Sequence, residues 1–582
     1  MQFRHYSDTA MIITMLPTHT PAASGALGPK EEGSAMATPV QSQPRAVDVG
    51  LRRDIGLIGG MWASVGSIIG SGWLFGALGA VMLAGTAGIL AWLITGAVFS
   101  MLALVYAELG GMYPVAGGTA RFQHYAFGGA AGMSFGFFSW LQAAAVAPIE
   151  CYAVMNYGSY YWHGIYDPTT KNVTGLGFVM TIVLLAIFTG LNFLAVRWLA
   201  HTNSGLTWWK IAIPLLAIII LFFKFHSANF GAGGGFMPYG WHGVLSAISV
   251  AGVAFALLGF EQADQLAGEI KNPQRNLPLS ILGGFMIGTV IYVLLQIVFI
   301  GALPASQLTH GFANISNANI LAGPFAGLAG LVGLGWLAVV LRIDAFISPF
   351  GTGLIYQTST SRVGYGLGRN RYYPPVFTWT DKRGVPWFSL IASFLAGLVF
   401  LLPFPSWHSL VILITSATVL MYAGAPLSVA AFRSQVPEAN RPFRMPVISV
   451  LGPLAFICAN LIIYWSGFET IWKLGVALAI GYVLMGIWMY YDKQRPPLEW
   501  KAAQWLPFYL LGMGILSWQG QFGGDSTLNI PAGWDMLIVA AFSVAIYYWA
   551  YFSKLPRDEM LKIVNREAAR AAEDPGPEPI GH

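Results

Sequence analysis

Long apolar windows recur along most of this chain, and short polar segments separate them. Each window is close to the roughly 20 residues that an α-helix needs to cross a hydrocarbon layer about 30 Å thick. The pattern therefore predicts an all-α protein that crosses a membrane many times.

Fourteen membrane-spanning helices are predicted from these windows. They cover residues 56–83, 86–110, 127–160, 174–195, 203–225, 242–268, 277–302, 321–361, 386–403, 407–432, 447–466, 472–491, 503–519 and 533–553. The window at 503–519 is the weakest, because its apolar run is only just long enough and could also lie flat at the membrane surface. An even number of spans places both ends of the chain on one side of the membrane.

Composition narrows the class of protein. Hydrophobic residues make up 56% of the 582 residues and charged residues only 9%, whereas soluble domains carry about 25% charged residues. A soluble enzyme, a secreted disulfide scaffold and a nucleic-acid binder are therefore excluded. The two cysteines, Cys151 and Cys458, each lie in an apolar window, so no disulfide framework is expected.

Lysine and arginine are unevenly distributed over the loops, and this bias predicts the orientation. Segments on the side of the N-terminus hold 25 of the 30 Lys and Arg residues, and the opposite loops hold only Lys171, Lys224 and Lys473. Because Lys and Arg accumulate in cytoplasmic loops, we expect an integral protein of the plasma (inner) membrane with both termini in the cytoplasm.

Glycines interrupt the first and the sixth predicted spans, at residues 66–72 (GSIIGSG) and 252–259 (GVAFALLG). Each glycine costs a helix about 1 kcal/mol relative to alanine, and unwound backbone at membrane depth is tolerated only beside a cavity or within protein. Breaks five spans apart are typical of two inverted five-helix repeats with a substrate site between them. The alternative is close helix packing on glycine.

Both interrupted segments resemble signatures of the amino acid-polyamine-organocation (APC) superfamily of permeases. Residues 66–76 (GSIIGSGWLFG) are similar to its G-x-I-I-G-S-G-I-F-G signature, although Trp73 stands where isoleucine is usual. Residues 255–261 (FALLGFE) and 267–273 (AGEIKNP) are similar to F-A-F-x-G-F-E and A-E-E-x-K-N-P. The resemblance covers residues 54–491 and implies the LeuT-type fold, a 5+5 inverted repeat with discontinuous helices 1 and 6.

The chain is accordingly expected to have six parts. Residues 1–50 are rich in Pro, Ser, Thr and Gly without an apolar period, which predicts a disordered cytoplasmic leader. The remaining parts are the first five-helix repeat at 54–225, the second at 242–432, helices 11 and 12 at 447–491, helices 13 and 14 at 503–553, and a cytoplasmic tail at 554–582.

A closer resemblance is to the bacterial aspartate:proton symporter branch of the superfamily. It rests on VAPIE at 146–150, on IDAFISPFGTG at 343–353 and on the additional helical pair after Trp500. This resemblance implies proton-coupled uptake of aspartate or glutamate by alternating access.

The two breaks are the predicted substrate site. An amino acid needs donors for its carboxylate and acceptors for its ammonium, and the N–H groups that begin a half-helix favour an anion. The predicted donors are Gly70, Ser71 and Gly72, and the predicted carbonyl acceptors are Ser67, Ile68, Phe255, Ala256 and Leu258. The resemblance implies that the Phe255 ring is also an aromatic gate; the alternative is an ordinary packed ring.

Lys210, Glu261 and Asp264 are ionisable residues inside predicted spans, where an unpaired charge is costly. The resemblance implies that Lys210 replaces a bound sodium ion, and its ammonium could carry the coupled proton; the alternative is a lysine that reaches the membrane surface. Glu261 and Asp264 lie one turn apart after the second break and are further candidates for proton coupling. The alternative is that these carboxylates cap a helix end or form an ion pair at the break.

Arg342 is a permanent cation within the eighth predicted span. Its planar guanidinium matches the side-chain carboxylate of aspartate or glutamate, which makes it the predicted selectivity residue. The alternative is a buried ion pair with Glu150 or Asp344. Glu150 is the better partner, because Asp344 is two positions away and does not share a helix face with Arg342.

The predicted function is therefore secondary active transport of an amino acid, with protons as the coupling ion and no cofactor or metal. The expected partners are the small-molecule substrate, protons and the lipid bilayer, with no nucleic acid. Neither an HExxH nor a CxxC motif occurs. The open alternatives are a neutral amino acid permease or an exchanger of the same fold, and a transporter-like nutrient sensor.

Overall fold

The computed structural model describes residues 53–167, 170, 172–193, 196–402, 406–492, 496–523, 530–531 and 533–573. The predicted leader, 1–50, and the end of the predicted tail, 574–582, lie outside this described part. Residues 194–195 and 403, at the ends of two predicted spans, lie outside it as well.

The first part of the bundle contains seven helices. They are α1 (Leu57–Ile68), α2 (Ser71–Ala84), α3 (Gly88–Met112), α4 (Phe122–Phe127), α5 (Gly129–Gly158), α6 (Gly175–Leu191) and α7 (Val196–Phe222). A short antiparallel hairpin of β1 (Tyr166–Asp167) and β2 (Asn172–Val173) connects α5 to α6.

The following part begins with a second interrupted helix. Its helices are α8 (Gly240–Ser249), α9 (Val253–Ala256), α10 (Gln262–Gln265), α11 (Pro273–Ala302), α12 (Ala318–Ala322), α13 (Pro324–Leu331), α14 (Gly335–Arg369), α15 (Trp387–Leu401) and α16 (Trp407–Gln435). The last helices are α17 (Ile448–Trp465), α18 (Phe468–Tyr491), α19 (Trp505–Gln519), α20 (Trp534–Ser553) and α21 (Arg557–Glu573).

The described helices form an all-α membrane protein. Nine helical stretches among the described residues are long and apolar enough to cross a membrane, and α1, α6 and α15 are shorter apolar helices. The predicted fold class, a polytopic all-α membrane protein, is confirmed.

Helices five spans apart pack against each other. The first span meets the sixth through α2 and α9, the second meets the seventh through α3 and α11, and the third meets the eighth through α5 and α14. The fourth and ninth spans, α6 and α15, are also in contact. A pair of inverted repeats related by an axis in the membrane plane produces this pairing.

One predicted span is wrong at its start. The sequence predicts a single helix over 321–361, but the structure has α12, α13 and then α14 from Gly335 onward. Gly333, with a φ of 78°, makes the turn between α13 and α14, a left-handed conformation that glycine adopts without a steric penalty. The apolar residues of α13 therefore belong to a separate short helix.

Helix α19 corresponds to the weakest predicted span, 503–519. It packs along α17 and does not lie across the end of that helix. The Tyr509 hydroxyl donates to Asn460 Oδ1 at 2.7 Å, and the Asn460 amide donates to Ser543 Oγ at 2.9 Å. Directly after α19, a Cβ built on Gly520 would clash with the Tyr464 hydroxyl. These polar contacts join α17, α19 and α20 within the bundle.

Helix α21, inside the predicted tail, was not predicted from the sequence. It is held by Glu567, whose carboxylate pairs with Arg121 and accepts a hydrogen bond from the Tyr125 hydroxyl at 2.6 Å. His124 Nε2 lies 3.4 Å from the same carboxylate. Burial alone would raise the pKa of Glu567, but the Arg121 guanidinium, with His124 and Tyr125, holds that pKa well below its usual range.

Candidate functional site

The two helix breaks face each other, as predicted. The first lies between α1 and α2, and the second comprises the residues on both sides of α9. A Cβ built on Gly72 would lie 2.7 Å from Ala256 Cα, and one built on Gly259 would lie 2.7 Å from Ser67 Cβ. Gly259 has a φ of 104°, so glycine serves both the turn and the close approach there.

A small cavity lies between these breaks. Six of the predicted substrate-binding residues line it: Ser67, Ile68, Gly70, Gly72, Phe255 and Leu258. Four further residues complete the lining: Val146 and Glu150 from α5, and Thr352 and Tyr356 from α14. Ala256 packs against Gly72, and Ser71 begins α2.

The start of α2 already has a carboxylate partner. Ser71 N–H donates to Glu150 Oε2 at 2.9 Å, and the Ser71 hydroxyl donates to Glu150 Oε1 at 3.0 Å. Gly70 N–H donates to the Ile68 carbonyl at 3.1 Å. The predicted free donors at Gly70 and Ser71 are therefore bonded within the protein, because buried N–H groups need partners.

Two predicted acceptors already have donors. The Phe255 carbonyl accepts Leu258 N–H at 3.1 Å and keeps its second lone pair. The Ile68 carbonyl accepts the Tyr292 hydroxyl at 2.6 Å and Gly70 N–H at 3.1 Å, which uses both of its lone pairs. Its role as an acceptor for a substrate ammonium stays a prediction. Tyr292 comes from α11, which packs along α1. The hydroxyl thus satisfies a carbonyl that the helix break leaves without its usual helical partner.

Lys210 lies against the first break. Its Nζ donates to the Gly66 carbonyl at 2.5 Å and to Thr352 Oγ1 at 2.6 Å. The Thr352 hydroxyl itself donates to the Gly66 carbonyl at 2.9 Å. Lys210 is 0% exposed, so the alternative of a lysine that reaches the membrane surface is wrong.

Glu261 and Asp264 lie outside the cavity lining. Glu261 Oε2 accepts the Tyr422 hydroxyl at 2.5 Å and Gly259 N–H at 3.1 Å, which are the contacts of a residue that caps the second break. Both carboxyl oxygens of Asp264 are buried without a hydrogen-bond partner in the described part of the chain. They point at α3, where a Cβ on Gly110 would overlap Asp264 Oδ1.

Arg342 is separated from the other predicted site residues. It precedes Thr352 by ten positions on α14, which is about 15 Å along a helix. Its guanidinium lies over the Tyr160 ring, 3.6 Å from the centroid, in a second small pocket that Asn319 and Gly323 also line. The alternative ion pair with Glu150 is not formed, since Glu150 bonds to Ser71.

Aromatic rings cover the cavity beside α2. Phe255 and Trp407 meet edge to face at 5.6 Å, and the Trp407 indole N–H donates to Ser71 Oγ at 2.9 Å. Phe75 lies 4.7 Å from Trp407 and 5.4 Å from Tyr157. This row of rings runs from Phe255, which lines the cavity, to Tyr157, which lines the pocket of Arg342.

The opposite end of the broken helices is closed by an ion pair and a backbone contact. Arg362 Nε donates to Glu269 Oε1 at 2.8 Å, and both side chains are 2% exposed. Ile55 N–H donates to the Glu269 carbonyl at 3.0 Å, and Lys271 N–H donates to the Ile55 carbonyl at 2.7 Å. The segment before α1 is thus joined to the segment after α10.

Several residues of the site were not predicted from the sequence. Thr352 and Tyr356 come from α14, and Tyr292 and Trp407 come from α11 and α16. Ser348, Thr352 and Tyr356 recur at intervals of four residues, which places their polar groups on one helix face. That spacing, within and just after the motif at 343–353, could have indicated the polar side of α14.

Two opposed helix breaks around a small polar cavity, inside a bundle whose spans pair five apart, define a secondary transporter of the inverted-repeat class.

One short string has the spacing of a hydrolase nucleophile motif, GMSFG at 132–136. It lies inside α5 and not at a strand-to-helix turn, where such a nucleophile stands. The sequence model of the amino acid permease family matches residues 55–490. The chain therefore belongs to the amino acid permease family, has its LeuT-type fold, and is an amino acid transporter and not an enzyme.

The similarity to known proteins extends over most of the chain. It is 38% identical over 514 residues to the glutamate/serine transporter AimA of Bacillus subtilis (strain 168), covering 86% of this chain and 94% of that protein. It is 37% identical over 498 residues to the aspartate-proton symporter of the same organism, covering 85% and 95%. It is 25% identical over 467 residues to the large neutral amino acids transporter small subunit 2 of Rattus norvegicus, covering 78% and 83%.

Proposed function

We propose that this permease imports acidic amino acids, aspartate or glutamate, together with protons and by alternating access. Two relatives, at 37% and 38% identity, carry aspartate and glutamate in their names. Among the chain's own residues, the observation that carries the proposal is the contact of the buried Lys210 ammonium with the Gly66 carbonyl at the first break.

Lys210 acts as a tethered cation in this proposal. Its ammonium supplies the positive charge that a bound metal ion would otherwise bring to the first break, and only its proton can leave. Hydrogen bonds from a charged donor are roughly twice as strong as neutral ones. Loss of the proton therefore weakens the contacts with Gly66 and Thr352 and favours a rearrangement of α1 against α14.

The substrate backbone is proposed to bind across the two breaks. The start of α2, at Ser71 and Gly72, receives the substrate carboxylate, and the carbonyls of Ser67, Phe255 and Leu258 receive the ammonium. Phe255 and Trp407 then cover the bound amino acid, since Phe255 lines the cavity and its ring meets that of Trp407.

Arg342 is proposed to act at the approach to the site and not in the cavity. We propose that the protein lies in the inner membrane with both termini in the cytoplasm. The start of α14 then faces the outer side of that membrane. Arg342 lies near that start, in a pocket lined by Tyr157, whose ring meets that of Phe75. A cation there raises the local concentration of anionic substrates.

Uptake into proteoliposomes tests the proposal. Labelled aspartate should accumulate when the outside is acidic relative to the inside and should not accumulate without that gradient. Excess glutamate should compete with the label, and basic amino acids should not. A strict requirement for sodium, or uphill uptake without a proton gradient, would contradict proton coupling.

A second candidate is transport of neutral amino acids, including exchange of one amino acid for another. One relative has serine in its name, and the cavity between the breaks is not lined by Arg342. Serine that competes as well as glutamate, with counterflow unaffected by pH, would favour this candidate over the first.

A further inference from the structure

The Glu150 carboxylate occupies the place that the proposed function gives to the substrate carboxylate. It accepts both the backbone N–H and the hydroxyl of Ser71, at the positive end of the dipole of α2. The side chain is 1% exposed, so water does not compete for these donors. The protein's own carboxylate therefore fills the anion position of the broken helix.

A substrate carboxylate cannot share this position with an ionised Glu150. Two carboxylates at one set of donors repel each other, and the repulsion favours a proton on one of them. The available space is also taken, since a Cβ built on Gly70 would lie 2.8 Å from Glu150 Oε1 and 2.7 Å from Thr352 Oγ1. Glu150 must withdraw before a substrate carboxylate reaches Ser71.

The groups around Glu150 determine the charge of the cavity. The neighbours that can titrate in the described part of the chain are Lys210 on α7, Tyr292 on α11, Tyr356 on α14 and the adjacent Cys151 on α5. Lys210 is the cation of this set, and it interacts with two buried carboxyl groups, Glu150 and Asp344 on α14. When Glu150 binds a proton, the cavity loses one negative charge, and an acidic amino acid, which carries a net negative charge, restores it.

We propose that Glu150 is a proton-binding residue of the transport cycle, which takes up a proton as it yields the start of α2 to the carboxylate of an incoming acidic amino acid. The proton binds to one carboxyl oxygen and leaves when the substrate leaves, so no other bond is made or broken. This inference rests on the proposed function, because it takes the start of α2 as the substrate's anion position.

The competing explanation is that Glu150 is only a fixed cap for α2. Glu150→Gln separates the two roles, because the glutamine side-chain oxygen still accepts from Ser71 N–H while the amide does not take up a proton. A cap is retained in this variant, and a proton-binding site is lost. Glu150→Asp is the matched control, since it keeps a carboxyl group on the same residue, one methylene shorter.

The experiment measures aspartate binding and uptake by the purified full-length chain over a range of pH. In the wild type, aspartate affinity should fall as pH rises, by up to about tenfold per pH unit if one proton is taken up with the substrate. In Glu150→Gln, affinity should change less than about twofold over the same range. Accumulation driven by a pH gradient should be lost while exchange of internal for external aspartate persists. Glu150→Asp should keep the pH dependence.

A measurement on the wild type keeps the test independent of the variant's folding. Aspartate added to weakly buffered protein in detergent should cause net proton uptake, followed with a pH indicator, at some pH between mildly acidic and mildly alkaline. No proton uptake anywhere in that range overturns the inference.

The outcomes distinguish the inference from the proposed function. If the wild type does not accumulate aspartate under a proton gradient, the proposed function fails. If the wild type does so and Glu150→Gln retains both the gradient-driven accumulation and the pH-dependent affinity, Glu150 is a cap and only the inference fails. A folded Glu150→Gln that binds no aspartate at any pH also overturns it, because a neutral side chain should favour binding.

Discussion

Alanine at Gly72 tests whether the close approach of the two broken helices maintains the substrate site. The new Cβ would lie 2.7 Å from both the Cα and the Cβ of Ala256. Carbon atoms in contact prefer separations of about 3.5–4.0 Å, so the two segments must move apart by about 1 Å. The Ala256 Cα and Cβ cannot rotate away, so the backbone of the second break must shift.

The size of the effect follows from this overlap. Overpacking of this kind costs about 1–3 kcal/mol. Each 1.4 kcal/mol corresponds to a factor of ten in affinity, so aspartate affinity should fall by roughly 5- to 150-fold if the whole cost falls on the binding site. Gly72→Val adds two further carbon atoms in the same space and should abolish binding. Both variants should remain folded, because the displacement is confined to the break.

The assay is binding of labelled aspartate to purified protein, with thermal unfolding in detergent measured on the same samples. Gly190→Ala is the matched control: this α6 glycine has no atom within 4 Å of the added Cβ, so the variant shares the gain in helix propensity without the clash. Gly72→Ala with the affinity of the wild type would refute the inferred role of the close approach.

Further predictions concern charged residues. Lys210→Ala should abolish accumulation driven by a pH gradient while downhill exchange persists; gradient-driven uptake that stays intact would contradict its role. Arg342→Gln should raise KM for aspartate several-fold, with a smaller effect at high salt, where charges are screened; an equal loss for neutral amino acids would argue against steering. Glu567→Gln should cost about 3–5 kcal/mol at its buried pair with Arg121 and expose α21 to proteolysis; unchanged cleavage would contradict this. The pKa of Glu567 is lowered in the folded state. The stability that its ionised carboxylate gives to α21 should therefore be complete above the ordinary glutamate pKa and should decrease as pH falls below it. Hydrogen exchange of α21 over a range of pH would measure this.

The spans and the two breaks could be predicted because each depends on local sequence. An apolar window of sufficient length has few alternatives to a membrane helix, and clustered glycines mark where such a helix is weakest. The same local reasoning fails at α13, because its apolar residues continue into α14 apart from the turn at Gly333. Helix α21 was missed because its burial depends on Arg121, more than 400 positions earlier.

The candidate site was predicted only in part, for a related reason. Backbone at the breaks is identified by glycine, but the partners of that backbone come from distant helices. Glu150 and Arg342 are both charged residues within apolar segments, and one alternative drawn from the sequence paired them with each other. In the structure Glu150 contacts Ser71 and Arg342 contacts Tyr160, because helix rotation and depth decide which charges meet.

The backbone contact between Ile55 and the segment after α10 has a mechanical consequence. It ties together the ends of the two broken helices that lie opposite α2, and the Glu269–Arg362 pair ties both to α14. Neither end can swing out alone without exposing unpaired backbone groups and a buried charge. Opening of the passage on that side therefore requires both ends to move together.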